Sequence, residues 1–412
     1  MFRWYLTLFV MASCSVLAAS QLTSSQELTG QQKARILDRF PQADKDGDGE
    51  LSPAETKEVF QRILQRYPQA DKDGDGELSE AERQNLFQMA RKGRNRSRPD
   101  NADNRKVDKK SSDPAELLET LGLKSERDIE YRQNTAQEKN RLDFIYPKTK
   151  VYDKAPLFIY IHGGGNTGGT KNALYSKGHL ILQELTESGV AVATIDYRLF
   201  DQGEELGFQH LFQDCKDALR FLALNADRFG IDPHKFITWG TSAGGSKALV
   251  TALTESDFLP GEVSGPKTEH TVIGAISFYG ATTYLVEELW AKRLERFPTR
   301  SETKAKMIMK PNSGLSVDEI KKMVSADQHL SPASPPILLV HGEADPVVPI
   351  ELSEHLYEAA KKHNIDVELV EVENAGHGFA PVKGKRSQPS MTWDESQRLV
   401  VERVTQWIKE SP

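Results

Sequence analysis

The pattern of apolar and polar positions divides the chain near residue 114. From there on, short apolar runs alternate with stretches whose apolar positions recur every three or four residues. The runs at 156–161, 190–195, 235–239, 272–278, 336–340 and 367–372 predict buried strands. The stretches at 180–186, 215–224, 245–253, 351–362 and 395–407 predict amphipathic helices. Such alternation predicts an α/β domain over 114–412, with a mostly parallel sheet covered by helices on both faces. Residues 281–330 break the rhythm with two helical patterns, Leu285-Val286-Glu287-Glu288-Leu289-Trp290 and Ser316-Val317-Asp318-Glu319-Ile320. An insertion there, between two strands, predicts a helical cap.

Before residue 114 the chain is polar, which accounts for the low mean hydropathy of −0.54 over 412 residues. The exception is the start. Arg3 precedes an apolar stretch from Trp4 to Leu17, with small residues at Ala18 and Ala19. The stretch is too short for a stable membrane span and reads as a signal peptide over 1–19, so the protein is expected to be exported, with no membrane span. Met11-Ala12-Ser13-Cys14 loosely matches a lipoprotein box and leaves lipid anchoring through Cys14 as the alternative. Residues 91–113 are rich in Arg and Lys with little to bury, and predict a disordered basic linker containing the sequon Asn95-Arg96-Ser97. A net charge of −7 with 27% charged residues points away from nucleic acid. Besides Cys14 there is only Cys215, within a helical pattern, where it reads as a buried small hydrophobe.

Between the leader and the linker, over 20–90, a segment repeats. Asp44-Lys45-Asp46-Gly47-Asp48-Gly49-Glu50-Leu51-Ser52 returns as Asp71-Lys72-Asp73-Gly74-Asp75-Gly76-Glu77-Leu78-Ser79, and the copies lead to Glu55 and Glu82. This is EF-hand spacing. Carboxylates stand at positions 1, 3 and 5 (Asp44, Asp46, Asp48; Asp71, Asp73, Asp75) and a Gly makes the turn. Position 7 offers its carbonyl (Glu50, Glu77), and a Glu closes the loop at position 12 (Glu55, Glu82). The pattern predicts a small all-α pair that binds Ca2+, in a structural or docking role, with a docking partner for the module. Pro41 and Pro68 before the loops and the short spacing make the pair compact, resembling dockerin-like bacterial forms.

The candidate chemistry lies in the α/β region. Gly240-Thr241-Ser242-Ala243-Gly244 falls between a predicted strand and a predicted helix, as a nucleophile elbow does, which makes Ser242 the candidate nucleophile. His162-Gly163-Gly164-Gly165 follows an apolar run. Its glycines let backbone amides approach a ligand, so Gly163 and Gly164, with Ala243 after the nucleophile, are the candidate oxyanion donors. The strand at 336–340 leads into His341-Gly342-Glu343-Ala344-Asp345, where Asp345 is the candidate acid and Glu343 its competitor. The last strand leads into Gly376-His377-Gly378-Phe379, where His377 is the candidate base. Ser242, Asp345 and His377 stand in the order nucleophile, acid, base.

With these motifs, residues 114–412 resemble the α/β-hydrolase superfamily, within the hormone-sensitive-lipase-like esterases and related acetyl or feruloyl esterases. Asp196-Tyr197-Arg198 and Asn225-Ala226-Asp227-Arg228-Phe229-Gly230-Ile231-Asp232 add to the likeness, and Asn166 departs from it, since many relatives carry an aromatic there. The resemblance implies a secreted serine esterase acting on an ester substrate, with an acylated polysaccharide among the candidates, and no cofactor for catalysis. A serine peptidase of the same fold, and a calcium-dependent docking or adhesion protein with an inert hydrolase domain, are the alternatives.

Overall fold

A computed structural model describes Ser52 and residues 113–133, 139–200, 207–290, 315–382 and 387–411. The chain divides into two units, Met1–Val107 and Asp108–Pro412. The leader, both calcium loops and the linker therefore lie outside the described residues, except for Ser52 and Asp113.

The second unit opens with helix α1 (Pro114–Leu121), capped by the Asp113 side chain, and strands β1 (Ser125–Glu130), β2 (Arg141–Ile145) and β3 (Ala155–Ile161). Helices α2 (Ala173–Lys177) and α3 (His179–Glu187) precede β4 (Ala191–Ile195). Helices α4 (His210–Leu224) and α5 (Ala226–Phe229) precede β5 (Ile231–Thr241). Then follow α6 (Ala243–Leu253), β6 (Val272–Phe278), α7 (Val317–Val324), β7 (Ile337–Gly342), α8 (Glu351–Lys362), β8 (Val367–Val372) and α9 (Trp393–Glu410). The strands form one eight-stranded sheet in the order β1-β2-β4-β3-β5-β6-β7-β8. β2 pairs antiparallel with β1 and β4, and every other pairing is parallel. This is the α/β-hydrolase fold.

Successive strand residues point to opposite faces, and each face is buried. Ile337 and Leu339 of β7 join Leu219, Leu249 and Leu356 on one side. Leu338 and Val340 join Ile181, Trp239 and Val404 on the other. Strands buried on both sides are apolar throughout, as in β3, which is buried over its whole length. Cys215 is buried and unpaired.

The six predicted strands are present, with β6 and β8 at the expected bounds and β5 starting earlier, at Ile231. β1 escapes the pattern because it is polar, and β2 because Arg141 and Asp143 break its apolar run. β2 carries Asp143 with no exposure, which accepts from Lys171 Nζ (2.7 Å), Tyr175 Oη (2.8 Å) and the Asp128 amide (2.7 Å). Of the stretch read as a cap, 291–314 lie outside the described residues. Its C-terminal part belongs to the body, because α7 buries Ile320 and Val324 in the same core as Leu249 of α6.

Candidate active site

Parallel strands deliver their C-terminal ends to one edge of the sheet, where open α/β folds bind ligands. β5 ends there in the sharp turn to α6. Ser242 sits in that turn at φ 55°, ψ −119°, a backbone state costing a non-glycine residue about 1–3 kcal/mol. The turn closes because its flanks lack side chains. A Cβ on Gly240 would come within 2.1 Å of the Gly244 carbonyl oxygen, and one on Gly244 within 2.0 Å of that of Ile161. The Ser242 amide donates to Phe278 O of β6 (2.8 Å), so the neighbouring strand holds the strained turn.

His377 lies 135 residues on in sequence, in a short 3-10 turn after β8, with its Nε2 2.9 Å from Ser242 Oγ. Its Nδ1 is 2.6 Å from Asp345 Oδ2. A carboxylate only accepts, so Nδ1 carries a proton and Nε2 is left to accept the Ser242 hydroxyl proton. The loop that carries His377 closes on itself through Gly376 N to Ala380 O (2.7 Å) and is tied to the Asp345 loop by Ala344 N to Ala375 O (3.0 Å). The rings of Tyr279 and His377 pack in a T-shaped arrangement with centroids 4.7 Å apart.

Asp345 is fully used. Oδ1 accepts the amides of Val347 (2.7 Å) and Val348 (3.0 Å). Oδ2 takes His377 and faces His341 Nε2 at 3.4 Å. Burial works to raise its pKa, but the hydrogen bonds from His341 and His377 outweigh it and hold the carboxyl below the ordinary range. His341 is itself buried, with Nε2 donating to Val348 O (2.9 Å) and Nδ1 2.7 Å from Ser353 Oγ. Glu343, the competing acid, points elsewhere and accepts from the Asn374 amide (3.3 Å).

The His162–Gly165 loop lies against the elbow: a Cβ on Gly163 would stand 3.3 Å from Ser242 Cβ. Two hydrogen bonds orient its peptides. Tyr197 Oη donates to His162 O (2.8 Å), and His162 Nδ1 donates to Gly163 O (2.7 Å). In a trans peptide the C=O and N–H point in opposite directions. Holding these two carbonyls therefore sets the direction of the Gly163 and Gly164 N–H groups. Burial pulls the His162 pKa down to about 3, so this clamp is a neutral imidazole at working pH. Ala243 begins α6, where first-turn amides lack helical partners and the helix dipole is positive.

The family model BD-FAE matches residues 142–360, more than half of the chain. The chain belongs to the BD-FAE family. The match includes Ser242 and Asp345 and ends before His377. An EF-hand model matches 37–60, which spans the first calcium loop. Among curated proteins, the chain is 25% identical over 250 residues to Esterase LipC of Mycobacterium tuberculosis, covering 60% of this chain and 59% of that one. It is 26% identical over 239 residues to isoprenylcysteine alpha-carbonyl methylesterase ICME of Arabidopsis thaliana, covering 57% and 52%. The chain thus spans about half to three fifths of the length of these relatives. A truncated carbohydrate esterase from gut microbiota superposes with a TM-score of 0.54 at 20% identity, over 69% of this chain and 96% of that one. Butyrate-bound esterase Est2 of Thermogutta terrifontis superposes with a TM-score of 0.52 at 23% identity, over 68% and 94%. At these identities the structural likeness is one of fold.

In this BD-FAE domain the structure brings together Ser242, Asp345, His377, Gly163 and Ala243, with Gly164 in the same loop. The calcium-loop residues lie outside the described residues, and no cluster of three or more metal-ligating side chains occurs among the described ones. Tyr279, His341, Ser353 and Lys247 carry no motif of their own that assigns them a role. Tyr279 has one local signal, since it falls just past the apolar run at 272–278, at the same sheet edge as the elbow.

Proposed function

We propose that this BD-FAE protein is a serine carboxylesterase. The observation that carries the reading is the line Ser242 Oγ–His377 Nε2–Asp345, at 2.9 and 2.6 Å, beside the glycine loop. In the proposed reaction His377 takes the proton as Ser242 Oγ attacks the ester carbonyl carbon. The carbonyl electrons move onto oxygen, which the amides of Gly163, Gly164 and Ala243 receive. Asp345 keeps the imidazole in the accepting tautomer and stabilises the imidazolium. Collapse returns that proton to the leaving alcohol, and water repeats the sequence on the acyl-enzyme.

The finer proposal is an exported enzyme that removes acyl groups, acetyl or feruloyl, from carbohydrate. Its support is the apolar leader, the family membership and the fold shared with a carbohydrate esterase. The two acidic loops are proposed to take Ca2+ in a structural or docking module, supported by their spacing and, for the first loop, by the EF-hand match. Ser242→Ala should abolish turnover of nitrophenyl acetate, and labelling by a fluorophosphonate, without loss of the folded state by circular dichroism. Turnover retained in that variant would overturn the assignment. Nitrophenyl acetate, butyrate, long-chain and feruloyl esters, assayed in parallel, test the acyl preference, with the short or feruloyl esters expected fastest.

A further inference from the structure

Lys247 is a buried cation that the reaction scheme above does not use. It lies on α6 four residues after Ala243 and has no exposure. Its ammonium makes no ion pair among the described residues. Its partners are neutral: Asn166 Oδ1 at 2.6 Å, Ala243 O at 3.3 Å, and the rings of Tyr197 at 4.6 Å and Phe212 at 4.7 Å. Burial pulls its pKa down to about 8, with Cys215 and Asp214 opposing. A charge taken out of water without a carboxylate partner is expensive, whereas an apolar side chain of similar volume would fill the same space without that penalty.

Three of these partners, Asn166, Tyr197 and Ala243, border the proposed oxyanion site. Asn166 directly follows Gly163-Gly164-Gly165, is 3% exposed, and stands at φ 69° with its carbonyl held by the Phe200 amide (2.8 Å). Tyr197 is the residue whose hydroxyl holds His162 O, and its ring stacks on His162 at 4.3 Å. Ala243 supplies the donor on the other side. A cation on the Tyr197 ring also favours the uncharged His162 that clamps Gly163 O.

We propose that Lys247 is a positioning residue of the oxyanion site, whose ammonium joins Asn166 and Tyr197 of the glycine-loop side to the first turn of α6. Through them it sets the aim of the Gly163 and Gly164 amides. It touches no reacting atom. The inference rests on the esterase reading and is tested separately from it.

The test compares Lys247→Met, Asn166→Gly and the double variant of the full chain. Lys247→Met removes the charge and keeps apolar volume. Asn166→Gly removes the amide at a backbone angle that glycine adopts freely. Two readouts are used: kcat and KM for nitrophenyl acetate, and affinity for a trifluoromethyl ketone. With the ketone, Ser242 Oγ bonds to the carbonyl carbon, its proton passes to His377, and the carbonyl oxygen becomes the oxyanion. Each single variant should lower kcat about tenfold, short of the about 10²–10³ for outright loss of a donor, with KM little changed. Ketone affinity should fall in proportion. The double variant should be no worse than the poorer single one, because both break one link. Asn166→Asp, which retains an acceptor, should keep most of the activity.

A folded Lys247→Met protein with parental kcat and ketone affinity overturns the proposal, and so do losses that multiply in the double variant. If Lys247→Met does not fold, Asn166→Gly decides alone by the same two readouts. Failure of the esterase reading looks different, because the parent would then be no more active than Ser242→Ala.

Discussion

Asp345 shows how one side chain is set by what folding brings around it. Two backbone amides take one oxygen, and His377 and His341 face the other. Its carboxyl is held below the ordinary range because burial, which opposes ionisation, is outweighed by the bonds from His341 and His377. A folded-state pKa below the unfolded one means that the group adds stability above the unfolded value, near pH 3.9. That stability is lost as pH falls through the folded value. Asp345→Asn should therefore lose less thermal stability than the parent between pH 5 and pH 2, measured by melting temperature. Parallel curves would contradict the assigned shift. At pH 7 the same variant should lose turnover by about four orders of magnitude, because an amide can leave His377 in the wrong tautomer. The motif residues at this scale, Ser242, Asp345 and His377, were legible in the sequence because glycines and strand ends mark their loops. His341 stands in the same motif as Asp345, but its role did not show, since its contacts to Val348 O, Ser353 and Asp345 arise only when the loop after β7 folds onto α8.

Among the elements, β1 and β2 were the ones hidden from the hydrophobic pattern. β2 reads Arg-Leu-Asp-Phe-Ile, and its central Asp143 argues against a buried strand. The fold reverses that argument by bringing Lys171, Tyr175 and the Asp128 amide to the carboxylate. Lys171, its side chain 5% exposed, depends on Asp143 and on the half-exposed Asp128 for its counter-charge. Asp143→Ala should thus destabilise the domain by about 3 kcal/mol, as breaking a buried pair does, and lower the midpoint of urea unfolding. An unchanged midpoint would mean that Asp128 alone suffices. The elements nearer the sheet centre needed no such help to be read. β3, β7 and the part of β5 from Phe236 to Thr241 are buried throughout, and these short runs match strands rather than helices. α7 was legible as a helix, with Ser316 and Glu319 forming a capping box, but its place was not. Its Ile320 and Val324 sit in the body of the domain, and only the packing partners reveal that.

For the molecule as a whole, the proposal couples a BD-FAE domain to a calcium-binding segment within one exported chain. Calorimetric titration of the full chain should register about two Ca2+ per molecule, one for each loop. Glu55→Gln with Glu82→Gln should remove most of that uptake, by loss of the bidentate ligands. No uptake by the parent at millimolar calcium would overturn the reading of the loops. The α/β-hydrolase fold, the EF-hand spacing and the chain order of Ser242, Asp345 and His377 could all be read from the sequence. Each rests on short-range rules: strand and helix periods, glycine at tight turns, and acidic ligands at fixed spacing. The burial of Asp143 and the neutral nest around Lys247 could not. Those depend on which distant groups share a low-dielectric interior. Periodicity along a chain says which residues go inside, but not which of them become neighbours.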